Sequence, residues 1–338
     1  MAGKTSKASK TSKTSKTSKT SKTSKTSKVT SIKGFDRNLR CRGFQFEVGK
    51  TYSVSGKIEA CKNGFHAYPI DEHPFSVFNF YPSAGSRFAE VTQSGKQDRE
   101  GTKLASAKVT IGVELTLSDL IERAVKWVSD RADWRNADKA IGPNQGATAS
   151  GYKGVATASG TRGVATASGD QGVATASGYQ GVATASGTRG VATASGYQGV
   201  ATVSGYQGVA MASSIQGVAT ASGDLGAATA SGTRGAATAS GTEGVAMASG
   251  TRGVAMASGY QGVAMASGRF CGAYASGHSG KVSGAAGSSL HLDERTWAPG
   301  TKQHGEIIAV WAGIVGRDGI KPDTFYTLKN GKPIEVES

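Results

Sequence analysis

Cys61, His66, Asp71, Glu72 and His73 fall within thirteen positions, and a thiol near an imidazole is the raw material of nucleophilic catalysis. Such chemistry also needs an oriented base and an oxyanion site, and no local motif supplies either. His66 stands between Phe65 and Ala67 in a strand-like stretch, where a hydrogen-bonded structural histidine is the expected outcome. It is the one candidate of the N-terminal region. A zinc site from Cys41, Cys61, His66 and His73 is not expected, because the close Cys–Cys spacing of structural zinc sites is missing. The three cysteines are odd in number and unpaired in spacing, which argues against a disulfide framework and for a reducing compartment. The reading is a non-enzymatic protein with no catalytic residue, no cofactor and no metal.

The elements that must position these residues belong to a folded stretch from Lys33 to about Asn136. Phe44-Gln45-Phe46-Glu47-Val48, Phe88-Ala89-Glu90-Val91 and Val109 to Leu115 alternate with period two, the pattern of half-buried strands. The last run should put Val109, Ile111, Val113 and Leu115 on one face. Leu117, Leu120, Ile121, Ala124, Val125 and Val128 lie on one stripe of a 3.6-residue period, with Thr116 and Asp119 as cap and first-turn acid. These signals define a small α+β head over residues 33–136.

Lys33-Gly34-Phe35-Asp36, Cys41-Arg42-Gly43-Phe44-Gln45-Phe46-Glu47-Val48 and Cys61-Lys62-Asn63-Gly64-Phe65-His66-Ala67 carry a family resemblance. Residues 33 to 132 resemble a domain of unknown function that recurs in bacteriophage and prophage proteins. Members of that family carry Gly-Ala-Ala-Thr-Ala-Ser-type repeats and a short closing domain downstream. The resemblance implies a phage-encoded or prophage-encoded origin and implies no reaction.

After a connector over residues 137–150, a nine-residue unit recurs fourteen times without a gap from Gly151 to Ser276. Fixed-period repetition marks a quasi-one-dimensional architecture in which each unit buries itself against its neighbours. The sixth position is always alanine, the eighth is alanine except Val203, and the first and fourth are glycine except Ser214 and Cys271. Two glycines per unit make a helix a poor fit, since each costs about 1 kcal/mol relative to alanine. A strand-turn repeat fits: Gly-x-x-Gly turns through the positive φ open to glycine, and Val-Ala-Thr-Ala-Ser extends. The alanines should face inward, because exchange of threonine for Met211, Met247, Met256 and Met265 would not suit a close-packed core. Two units per coil give about eighteen residues per coil and about seven coils of a β-solenoid. If units alternate between two edges, Asp170, Asp224 and Glu243 share one. Arg162, Arg234, Arg252 and Arg269 share the other, which has no acid, although Arg189 and Lys153 lie on the acidic edge and spoil a clean separation. Tyr179 and Tyr197, with Arg162, Arg234 and Arg252, are the candidate ligand-binding residues of the turns, with carbohydrate or protein as the partner.

Ten lysines and no acid lie in the first 33 residues, leaving about +5 of the net +15 for the rest. Lys4, Lys7, Lys10, Lys13, Lys16, Lys19, Lys22, Lys25 and Lys28 recur at every third position. A tail over residues 1–32 without core-forming residues should be disordered. It is the candidate contact for non-specific nucleic acid or an anionic surface. Beyond the repeats, a β cap over residues 277–338 is expected, with a strand at Glu306 to Val315 and a hairpin turning at Asn330-Gly331. This cap is the expected site of pairing with further copies of the chain. No apolar run is long enough to span a bilayer and no secretory signal is evident, so a cytoplasmic or virion-associated protein is expected. The functional reading is a phage or prophage structural or interaction protein with a β-solenoid spacer or binding rod. A nucleic-acid-associated protein acting through the lysine tail is the alternative, and an enzyme with its site in the head is the second.

Overall fold

The computed structural model describes residues 28–297 and 304–336, so Lys4 to Lys25 of the tail lie outside the described residues and Lys28 is exposed at their start. The fold is mainly β, with a solenoid of about 9 turns at about 18 residues per coil.

The head is built on strands β1 (Val29–Phe35), β2 (Arg40–Cys41), β3 (Phe44–Gln45), β4 (Thr51–Ser53), β5 (Phe65–Pro69), β6 (Arg87–Glu100) and β7 (Lys103–Leu115). Residues 29–32, read above as the end of the tail, therefore begin the first strand. β7 pairs with β4, β5 and β6, while β1 pairs with both β5 and β6, all antiparallel, so the sheet closes on itself. Phe35, Phe46, Val91, Val109 and Ile111 fill one side of it. The expected strand over residues 44–48 shrinks to the two residues of β3, which form a short hairpin with β2. The expected face of β7 also breaks. Ala89 pairs with Glu114 but Val91 with Ile111, so one extra residue on β7 forms a bulge. The parity of the strand changes there, leaving Val113 63% exposed while Leu115 joins a different cluster from Ile111.

Helix α1 (Leu117–Ser129) follows the periodicity, with Thr116 and Asp119 forming a capping box and Leu117, Leu120, Ile121, Ala124 and Val128 buried. Its apolar stripe packs between the sheet residues Ile32, Phe88 and Leu115 and the solenoid.

The solenoid begins before the first full unit and continues beyond the last. β8 (Asp138–Ala140) and β9 (Gly146–Ala149) open it, and four-residue strands follow at every ninth residue from β10 (Val155–Ala158) to β23 (Gly272–Ala275). β24 (Lys281–Gly284) and β25 (Ser289–Trp297) add a final coil in parallel register. The nine coils exceed the expected seven because these end segments, though divergent in sequence, keep the backbone register. At ~4.8 Å per coil the stack is about 40 Å long. Even-numbered strands form one parallel sheet and odd-numbered strands the other, each residue pairing with its equivalent eighteen positions on.

The alanines at the sixth and eighth positions point inward and are fully buried, as Ala156, Ala158, Ala183 and Ala185 illustrate. The glycines serve a purpose other than the expected one. Neither repeat glycine has a positive φ; the left-handed residue is the third of each unit, from Lys153 (φ 60°) through Gln198 (φ 56°) to Phe270 (φ 57°). Each Gly-x-x-Gly is a turn closed by a bond such as Gly163 N–H to Gly160 O (3.0 Å), with the type II pattern of one left-handed residue at its third position. The first glycine is needed for close approach. A Cβ on Gly178 would lie 1.9 Å from Gly160 O in the preceding coil. The two exceptions return hydrogen bonds to the backbone: Ser214 Oγ accepts from Gly199 N–H (3.2 Å), and Cys271 Sγ accepts from Gly253 N–H (3.2 Å) and donates to Gly250 O (2.8 Å).

The outward faces of the two sheets differ although their units are alike. On the even-numbered sheet Val155, Val173, Val191, Val209, Val245 and Val263 are buried, in one apolar cluster with Leu120, Ile121, Val128 and Phe75 of the head. Met211, Met247 and Met265 belong to the same cluster. On the odd-numbered sheet Val164 is 40% exposed and Met256 41%. The outward assignment of valine, threonine and methionine therefore stands, and the head covers one of the two outward faces. Antiparallel strands end both sheets: β26 (His304–Ile314) on β25, and the hairpin of β27 (Tyr326–Lys329) and β28 (Lys332–Glu335) on β24. Asn330 and Gly331 both take positive φ, 52° and 70°, as a two-residue hairpin turn requires. Phe270, in the last of the fourteen units, is 66% exposed in an ordinary turn. No helix among the described residues is long and apolar enough to cross a membrane.

Candidate functional site

The five residues bracketed by Cys61 and His73 do not come together as a catalytic group. Asp71 and Glu72 both pair with Arg99. His73 is buried against Phe75 and Trp127, and its Nδ1 accepts the Phe75 N–H (3.3 Å) at the start of a 3-10 helix, Pro74–Asn79. Burial, reinforced by the charges of Arg189 and Arg131, pushes its pKa down to about 3. Its imidazole is therefore neutral and structural.

Cys61 and His66 stay close, but not as nucleophile and base. His66 Nε2 accepts the backbone N–H of Cys61 (2.9 Å), which commits the nitrogen that a thiol would need. Burial lowers the His66 pKa, and Lys33, Arg42 and Lys103 lower it further. Both residues line a cavity of about 550 Å³ between β1, the β2–β3 hairpin, β5 and the segment that carries Phe80 and Tyr81. At its wall Lys33 is buried, donating to His66 O (3.0 Å) and lying 3.5 Å from Cys41 Sγ, which is 2.8 Å from the Tyr81 hydroxyl. Burial is the main cause of a lowered Lys33 pKa, and the nearby Cys41 thiol acts in the opposite sense. Sequence spacing did not reveal this cavity, because its residues come from separate strands. Among the described residues no three His, Cys, Asp or Glu side chains are grouped to hold a metal ion.

The second site is an edge of the solenoid. Turns leading into odd-numbered strands stack in one column, turns leading into even-numbered strands in the other. The column is joined by backbone bonds such as Arg162 N–H to Tyr179 O (2.7 Å) and Gln180 N–H to Tyr197 O (2.8 Å). Arg162, Tyr179, Tyr197, Arg234 and Arg252 all belong to the column leading into odd-numbered strands.

Side chains reinforce that register. Arg162 Nε donates to Gln180 Oε1 (3.1 Å), Gln180 Nε2 to Gln198 Oε1 (3.0 Å) and Gln198 Nε2 to Gln216 Oε1 (3.0 Å), a ladder of amides in step with the coils. Beside it the Tyr179 and Tyr197 rings stack at 5.3 Å with planes 6° apart. Both rings remain more than two-fifths exposed, and Ile215, next in the column, is 52% exposed. Tyr197 also donates its hydroxyl proton to Gln216 Oε1 (3.2 Å), so this ring is held rather than free to rotate.

The opposite column is engaged by the head. Arg189 lies over the Trp127 ring, the Tyr206 hydroxyl donates to Asn79 Oδ1 (3.3 Å) and Asp133 N–H bonds Lys153 O (2.8 Å). Its acids are partly used within the stack, Asp170 and Asp224 accepting from Thr188 and Thr242 N–H. The head thus touches one turn column at a few points, and Tyr152 and Tyr206 in that column stay 64% and 42% exposed.

No curated protein and no solved structure matches the chain. The model of a family described as a domain of unknown function (DUF7666) matches residues 29–123, a span that covers the closed sheet of the head and the first half of α1, so the head is similar to a domain family without an assigned reaction.

Proposed function

We propose that this chain is a non-enzymatic structural and interaction protein of phage or prophage origin, with the solenoid as a stiff rod that displays one binding edge. The observation that carries the reading is the unoccupied turn column. Tyr179 and Tyr197 on adjacent coils, and Gln180, Gln198 and Gln216 on three successive coils, stand in fixed register there, with arginines in the same column at Arg162, Arg234 and Arg252. A surface of stacked tyrosines flanked by arginines suits partners with repeating polar and apolar groups, a carbohydrate chain or an extended protein segment. Ordering of the side chains before binding reduces the entropy lost on association.

The experiment is binding of the labelled full chain to a glycan array and to bacterial cell surfaces, beside a Tyr179→Ala, Tyr197→Ala, Arg234→Ala variant with the same circular dichroism. Binding by the parent chain and its loss in the variant support the reading. Equal binding by both removes the edge from it. Solution mass of the full chain adds the assembly: a monomer is a single-chain spacer, and a trimer is a fibre. The nucleic-acid reading rests on the lysine periodicity of the tail, and salt-dependent DNA binding that disappears on deleting residues 1–30 would favour it.

A further inference from the structure

The cavity in the head has features that the rod does not explain. Four cations, Lys33, Arg42, Lys62 and Lys103, line it, and no carboxylate does. Of these, Lys62 is paired with Glu59 outside the cavity and Lys33 with His66 O. Arg42 has no hydrogen-bond or ion-pair partner among the described residues, yet its charge acts on Lys33, His66, Tyr81 and Lys103 alike. Arg42 itself is exposed at the rim of the cavity. Uncompensated positive charge gathered in a concave, low-dielectric site attracts an anion.

An independent observation points into the same space. Tyr68 lines the cavity and is only 5% exposed, and its hydroxyl has no hydrogen-bond partner. A buried hydroxyl without a partner is destabilising unless something completes it. Two large aromatic side chains at the cavity are also left in solvent, Phe44 at 47% and Phe80 at 61% exposure. The Lys103 ammonium lies 2.9 Å from the centre of the Phe80 ring.

We propose that the head cavity binds a small organic anion, a flat apolar body carrying a phosphate or carboxylate. The anionic group sits against Arg42 and Lys103, the apolar body lies along Phe44 and Phe80, and the Tyr68 hydroxyl donates to a polar atom of the ligand. A volume of about 550 Å³ lies within the range that encloses ligands of this size. Guanidinium and ammonium differ in what they contribute. Arg42 can engage two anionic oxygens at once, while Lys103 supplies a point charge.

The test uses the full chain and the intrinsic fluorescence of three probes of one shape: naphthyl phosphate, naphthoate and the neutral naphthylmethanol. Saturable binding of at least one anion, with the neutral probe about tenfold weaker or more, is expected. The ratio of phosphate to carboxylate affinity identifies which anionic group the site prefers. Arg42→Gln combined with Lys103→Gln, both at the rim and free of core packing, should weaken the anions about tenfold and leave the neutral probe unchanged. Tyr68→Phe separates ligand binding from folding: its melting temperature should not fall, because an unsatisfied hydroxyl has been removed, yet anion binding should weaken severalfold. Three results each overturn the proposal: no saturable anion binding below about 1 mM, equal affinity for neutral and charged probes, or parent-like anion binding in the double variant.

Discussion

Alanine at Gly178 is the sharpest test of how the solenoid is held together. The added Cβ would sit 1.9 Å from Gly160 O and 2.5 Å from its carbonyl carbon, so the two coils must separate locally by about 1.5 Å to restore ordinary contact. That displacement takes the adjoining Arg162 N–H to Tyr179 O bond, 2.7 Å long, out of hydrogen-bonding range. Loss of one backbone bond costs about 1 kcal/mol and overpacking a further 1–3 kcal/mol, for a destabilisation of about 2–4 kcal/mol. At roughly 2–4 °C per kcal/mol for a domain of this size, the melting temperature should fall by about 4–16 °C. Gly181→Ala is the internal control, since its Cβ would meet Ala176 Cβ at 3.0 Å and Gly178 O at 3.1 Å. A shift of a few tenths of an ångström relieves it, and the cost should stay below about 1.5 kcal/mol. Gly178→Ser should fall between the two, because Ser214 shows that a hydroxyl at this position can return a bond to the neighbouring coil. Thermal unfolding followed by circular dichroism at 218 nm, the β-sheet band, reads all three. An unchanged melting temperature for Gly178→Ala, or an equal fall for Gly181→Ala, would refute the argument that the first glycine is required by approach between coils.

Val191→Ala, beneath the head, should cost about 2 kcal/mol, whereas Val200→Ala on the uncovered sheet should cost well under about 1 kcal/mol; chemical unfolding of the two variants measures the difference. Gln198→Ala removes both of its ladder bonds and should lower stability by about 1 kcal/mol, read from the same unfolding curves. His73 gives a pH dependence of defined sign. Its folded-state pKa of about 3 lies below its ordinary value of 6.5, so between these values the unfolded chain binds the extra proton and stability falls as pH falls. Its full contribution is present above pH 6.5, and the loss approaches about 1.4 kcal/mol per pH unit once the unfolded chain is protonated. Comparing unfolding at pH 7 and pH 5, His73→Asn should show a smaller drop than the parent chain.

The repeat made much of this fold legible. Invariant small residues at alternate positions identify an alanine interior, because alternation along a strand is a local property. The helix over Leu117 to Ser129 and the Asn330-Gly331 turn were likewise carried by nearest neighbours. The purpose of the glycines was not, because the atom that excludes a side chain at Gly178 belongs to a residue eighteen positions away. Nor was the difference between the faces: Val191 and Val200 occupy the same position in their units, and only the head distinguishes them. The bulge in β7 is invisible for the same reason, since it depends on how Glu90 and Gly112 meet across two strands. The cavity unites Lys33, Cys41, His66 and Tyr81, and no short spacing links those four.

A coil made of two identical units has a consequence for how such a sequence can change in length. Insertion or loss of two units, eighteen residues, adds or removes one rung and leaves every later side chain on its own side. Insertion or loss of a single unit exchanges the sides for everything downstream. The valines after it would leave the head, an insertion between Tyr179 and Tyr197 would part that pair, and the closing hairpins would exchange sides relative to the head. Replication slippage within the coding repeat is thus filtered by parity: descendants of this chain can be longer or shorter in even steps, while odd steps cannot keep both the head and the cap in place.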